Sequence, residues 1–390
     1  MSDSNDHLAL ALVPGLGPKL TAALLARFGS PAAALRASAD ELAEVPHIGE
    51  KLAASLAAAM RTVDIGPELA LLEKHGVRAV PLGSAGYPAP LASVPAPPPL
   101  LYFRGDWLEA DANAIGIVGS RGCTAYGRKM AEQLARDLVR AGFTIVSGLA
   151  RGLDGAAHRA ALDAGGRTVA VLAGGLSRIY PPEHADLADA VAKQGCLVTE
   201  TAMRMEPLPG MFPARNRIIS GLSRGVIVVE ADEKSGAMIT AKLALEQGRE
   251  VFAVPGAVGS DASAGPLALI RTGARLVRSA DDVIEDLKGI STADYSPLAS
   301  GGRQPPVKAS TTQLALTNDG AQQGADAPRS PAPVLDPSQQ RVFDALGAKR
   351  HADELVRELG LSAADLSRVL FQLDVKKLIR RLPGNSYERR

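Results

Sequence analysis

The densest polar stretch of the chain, Phe212-Pro213-Ala214-Arg215-Asn216-Arg217-Ile218-Ile219-Ser220, carries the chemistry of anion binding. Pro213 suits the first turn of a helix, which places Arg215, Asn216 and Arg217 near its N-terminus. Two arginines there oppose the helix dipole, and a bound anion would relieve them. Phe212, just before the helix, offers a ring to a nucleic-acid base. The competing reading makes Phe212 a hydrophobic staple and sets the arginines on a solvated face. A second candidate is the turn Gly119-Ser120-Arg121-Gly122, which follows the apolar run Ala114–Val118. Open α/β sheets bind ligands at such a strand-to-helix turn, where glycines let the backbone approach and helix amides face an anion. The Arg121 guanidinium suits a bidentate phosphate contact, or a carboxylate partner at the sheet edge. A third is Lys234-Ser235-Gly236, beyond a strand ending at Glu230, where Ser-Gly before a helix again supplies open amides. Ser120, Arg121, Arg215, Arg217, Lys234 and Ser235 are expected to converge on one rim of a sheet, with Asn216, Gly236 and Phe212 completing a nucleic-acid site.

Other chemistries find less support. Asp154 and His158 share a helical face at i, i+4, which could form an acid/base pair. No nucleophile accompanies them, so a structural contact or cap is the preferred reading. The first turn does not read G-x-G-x-x-G, and the second strand ends at Ser147-Gly148 without a carboxylate for a ribose, which argues against a dinucleotide. The six His are scattered, and two Cys, Cys123 and Cys196, cannot make a four-thiolate zinc site. Neither metal nor cofactor is expected.

The elements that must position these residues begin at 114. Apolar runs at Ala114–Val118, Phe143–Val146, Thr168–Leu172, Cys196–Val198, Val226–Glu230, Glu250–Val254 and Arg275–Val277 alternate with amphipathic helices. That alternation predicts an α/β domain with a doubly wound, mainly parallel sheet. Ahead of it, residues 81–110 are proline-rich, with Leu100-Leu101-Tyr102-Phe103 as an expected edge strand. Residues 1–80 read as helices broken at Pro14-Gly15-Leu16-Gly17 and Pro46-His47-Ile48-Gly49, a weak repeat of helix, hairpin and helix. Such hairpins bind DNA phosphates or serve protein contacts. Residues 289–335 have a linker composition. Helices at Asp336–Leu346, Ala352–Leu359 and Ser362–Val375, the last N-capped by Ser362, precede a basic hairpin. Together these predict a winged helix spanning 336–390, a module used for DNA or for protein docking. The expected domains are therefore 1–80, 81–288, the 289–335 linker and 336–390.

The whole chain has 390 residues and a net charge of +1, distributed as −2 over 1–80, neutral over 81–288 and 289–335, and +3 over 336–390. No part is broadly basic, so a nucleic-acid site must rest on a local cluster. There are only 7 Phe, 6 Tyr and 1 Trp, so base stacking falls to very few residues. No apolar run is long enough to span a membrane. The polar, acidic start is unlike a signal peptide, and the cysteine usage fits a reducing cytoplasm.

The segments GYPAPL, LLYFRGD, IVGSR, IVSGLARGLDGAAH, AVLAGG, YPPEH, FPARNRIISGLS, SGAMITAKLALEQGR and VFAVPG, running through about 86–277, closely resemble the DNA-processing protein A (DprA/Smf) family. The resemblance implies a Rossmann-like domain between a SAM-like helix-hairpin-helix domain and a winged helix. It also implies a cytoplasmic homodimer that binds single-stranded DNA and loads RecA recombinase in natural transformation, with single-strand-binding protein as a further partner. It carries Arg121 and the F-x-x-R-N-R residues Phe212, Arg215, Asn216 and Arg217 over as a DNA pocket. His184 and Ala237 depart from the family's usual Asn and Ser. The enzymatic alternative is a nucleotide-processing hydrolase of the lysine decarboxylase-like group, whose P-G-G-x-G-T-x-x-E motif contains an essential glutamate. Here Leu243 stands three residues after Thr240, so that acid is missing.

Overall fold

The computed structural model describes residues 2–288, 335–346, 350–361 and, with short interruptions, 365–389. The expected linker lies almost wholly outside the described residues, as does Ser362, the proposed cap. The described residues divide into two compact units, one on each side of the 297/298 junction.

The first unit is built on nine strands: β1 Val77–Pro81, β2 Leu100–Gly105, β3 Ala114–Val118, β4 Thr144–Ser147, β5 Thr168–Val171, β6 Cys196–Thr199, β7 Gly225–Val228, β8 Glu250–Ala253 and β9 Arg275–Leu276. Their order is β1-β2-β6-β5-β4-β3-β7-β8-β9. The pairings from β6 through to β9 are all parallel, and β1 and β2 add an antiparallel end. Runs such as Ala114–Val118 are buried throughout, as expected of strands covered on both faces. One core joins Ile115, Ile117, Ile145, Ile227 and Phe252 to the Ala125–Arg140 and Leu153–Asp163 helices. A second joins Tyr102, Ala170 and Leu197 to Leu8 and Leu72 from the N-terminal helices.

Two expectations change here. Leu100–Phe103 does not form an edge, because β1 pairs along its outer side from Val77↔Arg104 to Pro81↔Leu100. The 80/81 division therefore falls within a strand of the sheet. The sequence of β1, VRAVP, is short and ends in proline, so it gave little strand signal of its own.

The internal repeat is visible in the backbone. Gly15 and His47 hold equivalent turn positions, both with positive φ, 81° and 70°. The helices that follow, Pro18–Phe28 and Glu50–Thr62, both start from a glycine N-cap. Leu24, Ala34, Leu42, Ile48 and Leu56 make their common core.

In the second unit, β10 Arg350–His351, β11 Ile379–Leu382 and β12 Ser386–Arg389 form a small antiparallel sheet in the order β10-β12-β11. It packs with the Pro337–Ala345 and Ala352–Leu359 helices and with Leu366, Val369 and Leu370 of the partly described third helical segment. Helices followed by a β-hairpin make the expected winged helix.

Candidate nucleic-acid interface

Strands β4, β5 and β6 lie to one side of β3, whereas the chain crosses to the other side for β7. The crevice between the carboxyl ends of β3 and β7 is thus the topological switch point of the sheet, where α/β folds place ligands. Hydrogen bonds fix the two turns that flank it. The Ser120 amide donates to the Glu230 carbonyl at 2.7 Å. The Glu230 carboxylate accepts from the Thr124 amide at 2.8 Å and the Thr124 hydroxyl at 2.5 Å. Thr124 in turn caps the Ala125–Arg140 helix through the Gly127 amide. The turn after β4 packs against the first turn at Gly152, at φ 74°, where a Cβ would lie 2.5 Å from the carbonyl oxygens of Ser120 and Arg121. A side chain there would displace the Arg121 loop.

A cavity of about 420 Å³ occupies this crevice, and Ser120, Arg121, Gly122, Asn216, Ser235 and Gly236 line it together. Ser235 is the N-cap of the Gly236–Glu246 helix, yet its side chain makes no capping bond. Its Oγ is buried and lacks a hydrogen-bond partner. The first amides of that helix are thereby left without a side-chain cap, a favourable place for an anion. Arg121 is exposed, and among the described residues no carboxylate pairs with it. Its guanidinium carbon lies 5.2 Å from the Phe212 ring centroid, in cation–π range. Two carboxylates, Asp154 and Asp232, and a second guanidinium, Arg215, also line the cavity, so its side-chain charges balance and the exposed Arg121 and the open backbone amides are its accessible positive groups.

The F-x-x-R-N-R segment departs from expectation. Its helix spans Met211–Leu222, so Phe212 is inside the first turn. Arg215 reaches the cavity but is only 6% exposed. It donates to the carbonyls of Gly148, at 2.6 Å, and Val171, and through Nε to Asn216 Oδ1 at 3.2 Å. Burial pulls its pKa down to about 10 against the opposing pull of Asp154, with repulsion from Arg121 adding to the fall. A Cβ on Gly148 would sit 2.4 Å from the guanidinium, so only glycine leaves room for it. Arg215 therefore locks the carboxyl ends of β4 and β5 beneath the crevice. Arg217 does not line the cavity at all. It pairs with Glu200, their side chains 15% and 18% exposed, and donates to the Ala96 carbonyl at 3.2 Å. Neither arginine lies on a solvated face, and Glu200 and backbone carbonyls supply the negative charge for which an anion was invoked. Lys234 is exposed on the same loop but outside the cavity lining.

The Asp154–His158 pair resolves as structural. Asp154 accepts from the Gly148 and Ala150 amides at 3.1 and 3.3 Å, and burial raises its pKa despite Arg215. His158 meets the Thr168 hydroxyl at 2.7 Å, and burial, helped by His184, Arg215 and Arg159, lowers its pKa to about 3. Sequence reasoning passed over Arg151, Arg178 and Tyr180, which with Arg121 and Phe212 line a narrower recess beside the cavity. Arg151 follows directly on the second strand's Ser-Gly turn, a position that could have marked it. Among the described residues no His/Cys/Asp/Glu group could hold a metal, and no helix is long and apolar enough to cross a membrane.

The fold defines a Rossmann-like domain with a crevice at its switch point, preceded along the chain by paired helical hairpins and followed by a winged helix. Comparison with known proteins narrows that class. Residues 78–288 match the family model for DNA recombination-mediator protein A, 325–385 the DprA winged-helix domain, and 8–62 the SAM-like helix-hairpin-helix tandem. The chain belongs to the DNA recombination-mediator protein A family. It is 35% identical to Protein Smf of Synechocystis over 98% of each chain. It is 48% identical to DNA processing protein DprA of Bacillus subtilis, over 56% of this chain and 74% of that one. The crystal structure of DNA processing protein A from Streptococcus pneumoniae superposes with a TM-score of 0.62 at 34% identity, covering 72% of this chain and 95% of that chain.

Proposed function

We propose that this chain binds single-stranded DNA in the β3/β7 crevice and acts as a non-catalytic recombination mediator that delivers the strand to RecA. The observation that carries the reading is the pairing of an uncommitted guanidinium, Arg121, with an unsatisfied buried hydroxyl, Ser235 Oγ, on one cavity beside open helix amides. Phosphate satisfies all three donors at once. In this reading Ser120, Arg121, Asn216, Ser235 and Gly236 hold backbone, Lys234 adds charge at the rim, Arg215 shapes the floor, and Arg217 braces its helix away from the cavity through Glu200. A crevice at the carboxyl rim of the sheet tracks one backbone without enclosing a duplex. The role requires no bond to be made or broken, and the hydrolase alternative lacks its glutamate at Leu243. Membership of the family supports a cytoplasmic homodimer that works with RecA, and with single-strand-binding protein, in transformation or general recombination. The test is RecA-driven strand exchange on DNA coated with single-strand-binding protein, run beside oligonucleotide and matched-duplex binding. Stimulated exchange and a preference for single strands are expected; no stimulation, or equal duplex affinity, overturns the assignment.

A further inference from the structure

Residues 200–210, between β6 and the Met211–Leu222 helix, form no helix or strand, yet they set where that helix begins. Their first half is clamped from two sides. On one side, the Met205 carbonyl accepts from the Gly175 amide at 2.8 Å, and the Met203 carbonyl accepts from the Ser177 amide at 3.1 Å and from the Ser177 hydroxyl. A Cβ on Gly175 would lie 2.3 Å from the Met203 carbonyl oxygen, so only glycine lets the two stretches come this close. On the other side stands Glu68 of the Gly66–His75 helix, only 7% exposed. Its Oε1 accepts from the Met203 amide at 2.7 Å. The Tyr102 hydroxyl lies beside the same carboxylate, which adds to burial in raising the tyrosine pKa. Met203 itself is buried in one core with Leu8 and Leu72 of the N-terminal helices. A buried carboxylate is costly unless its oxygens are bonded, and Glu68 spends that bond on the segment leading to the crevice helix.

A second contact lies beneath the floor. Leu16, Pro18 and Thr21, from the first hairpin and the helix after it, face Met211, Ala214 and Arg215 across a cavity of about 200 Å³. The unfilled space gives the start of the Met211–Leu222 helix room to shift, so its position depends on how residues 200–210 are held.

We propose that the N-terminal helices form the back wall of the DNA site and that Glu68 is a positioning residue for its floor. The inference rests on the single-stranded DNA reading above. Glu68 touches no DNA. It holds the Met203 amide, the held segment places the first turn with Phe212 and Arg215, and Phe212 underlies Arg121. Residues 1–80 thereby take a part in binding that needs neither a phosphate contact nor a partner protein.

The experiment measures oligo-dT binding at two salt concentrations, and amide hydrogen exchange with and without oligo-dT, for the full-length protein and its variants. Glu68→Leu should weaken binding about tenfold, within the range of couplings carried through packed residues. The salt slope should not change, because no phosphate contact is lost. Exchange should quicken in 200–210 and not in Ala114–Val118, and excess oligo-dT should slow it again, since a ligand that favours the ordered segment must also order it. Glu68→Gln keeps an acceptor for the Met203 amide and should restore both affinity and slow exchange. Ser177→Ala removes one bond to the Met203 carbonyl from the opposite side and should reproduce the pattern at smaller amplitude, which keeps the test open if Glu68→Leu does not fold. If either variant quickens exchange in 200–210 yet binds oligo-dT like the parent, or if Glu68→Gln fails to rescue, the proposal falls alone. If Arg121→Ala also binds like the parent, the placement of the DNA site falls with it.

Discussion

Two arginine-bearing segments border the same crevice and do opposite work. In the turn after β3, Arg121 is exposed, has no carboxylate partner among the described residues, and rests on an aromatic ring. In the Met211–Leu222 helix, Arg215 and Arg217 are enclosed, one by strand-end carbonyls and the other by Glu200. All three carry the same planar fork, but only Arg121 makes no side-chain hydrogen bond within the described residues, whereas Arg215 spends Nε and Nη1, and Arg217 both terminal nitrogens, inside the protein. A cluster of arginines in a sequence is thus a poor measure of binding charge, because buried guanidinium groups must be paired where they stand. The crevice depends on the helix for its shape and on the turn for its charge.

The sharpest way to break this contrast is to remove Arg215. Arg215→Met should leave the Gly148 and Val171 carbonyls unpaired and Asp154 without its neighbouring cation. Together these should cost about 3 kcal/mol or more of stability, measured by urea denaturation. DNA binding should fall as the floor distorts. An unchanged denaturation midpoint would return Arg215 to the binding side of the comparison.

Arg121→Ala should show the reverse pattern. Removal of a charge-assisted bond to phosphate should cost ~1.5–3 kcal/mol of affinity, one to two decades, with the melting temperature held. If the crevice contacts about three phosphates, the parent's log affinity should fall against log salt with slope of about −2, and the variant should lose roughly 0.7 of it. Arg121→Lys should recover only part, since it keeps the charge without the fork. The loss should be alike across oligonucleotide sequences, as phosphate carries no base information. A sequence-dependent loss would point to base contact instead.

Beneath the floor, His158 extends the enclosed side of the comparison. Its folded pKa, about 3, lies below the ordinary 6.5, so its neutral form stabilises the fold above pH 6.5. That contribution is lost as pH falls from 6.5 toward 3. Between pH 7 and pH 5 about 2 kcal/mol should disappear, at ~1.36 kcal/mol per pH unit below 6.5. His158→Gln should flatten the pH dependence of the melting temperature, and an equally steep profile would assign the acid sensitivity elsewhere.

The smallest effect is expected from deleting 289–390. The linker-like composition between the two units implies a tethered winged helix. Oligonucleotide affinity should change less than about twofold, or ~0.4 kcal/mol, in a truncated protein verified as folded and in the parent's oligomeric state. A large loss would give the module's +3 charge a share in binding.

The parallel sheet was legible because its strands are buried on both faces and must read as unbroken apolar runs, as Ala114–Val118 does. The crevice was legible for a similar reason, since turns at carboxyl ends of strands are named by their glycines and small polar residues. What stayed hidden was pairing at a distance. Nothing within the FPARNR motif announces Glu200, or carbonyls at 148 and 171, and β1 was too short to reveal that it covers β2. Tyr180 was visible within YPPEH but its exposure was not, because exposure is decided by how the Phe212 helix packs against it.

Glu230 has a kinetic consequence. Its carbonyl holds the Ser120 amide and its carboxylate holds Thr124, so one residue after β7 ties down the turn after β3 before any DNA arrives. A cradle assembled in advance needs no loop to order on encounter. Association should run at ordinary docking rates of about 10⁵–10⁷ M⁻¹s⁻¹, similar among variants at fixed salt. On the proposed function, the differences between them then lie in residence time: how long a bound strand stays in the cradle.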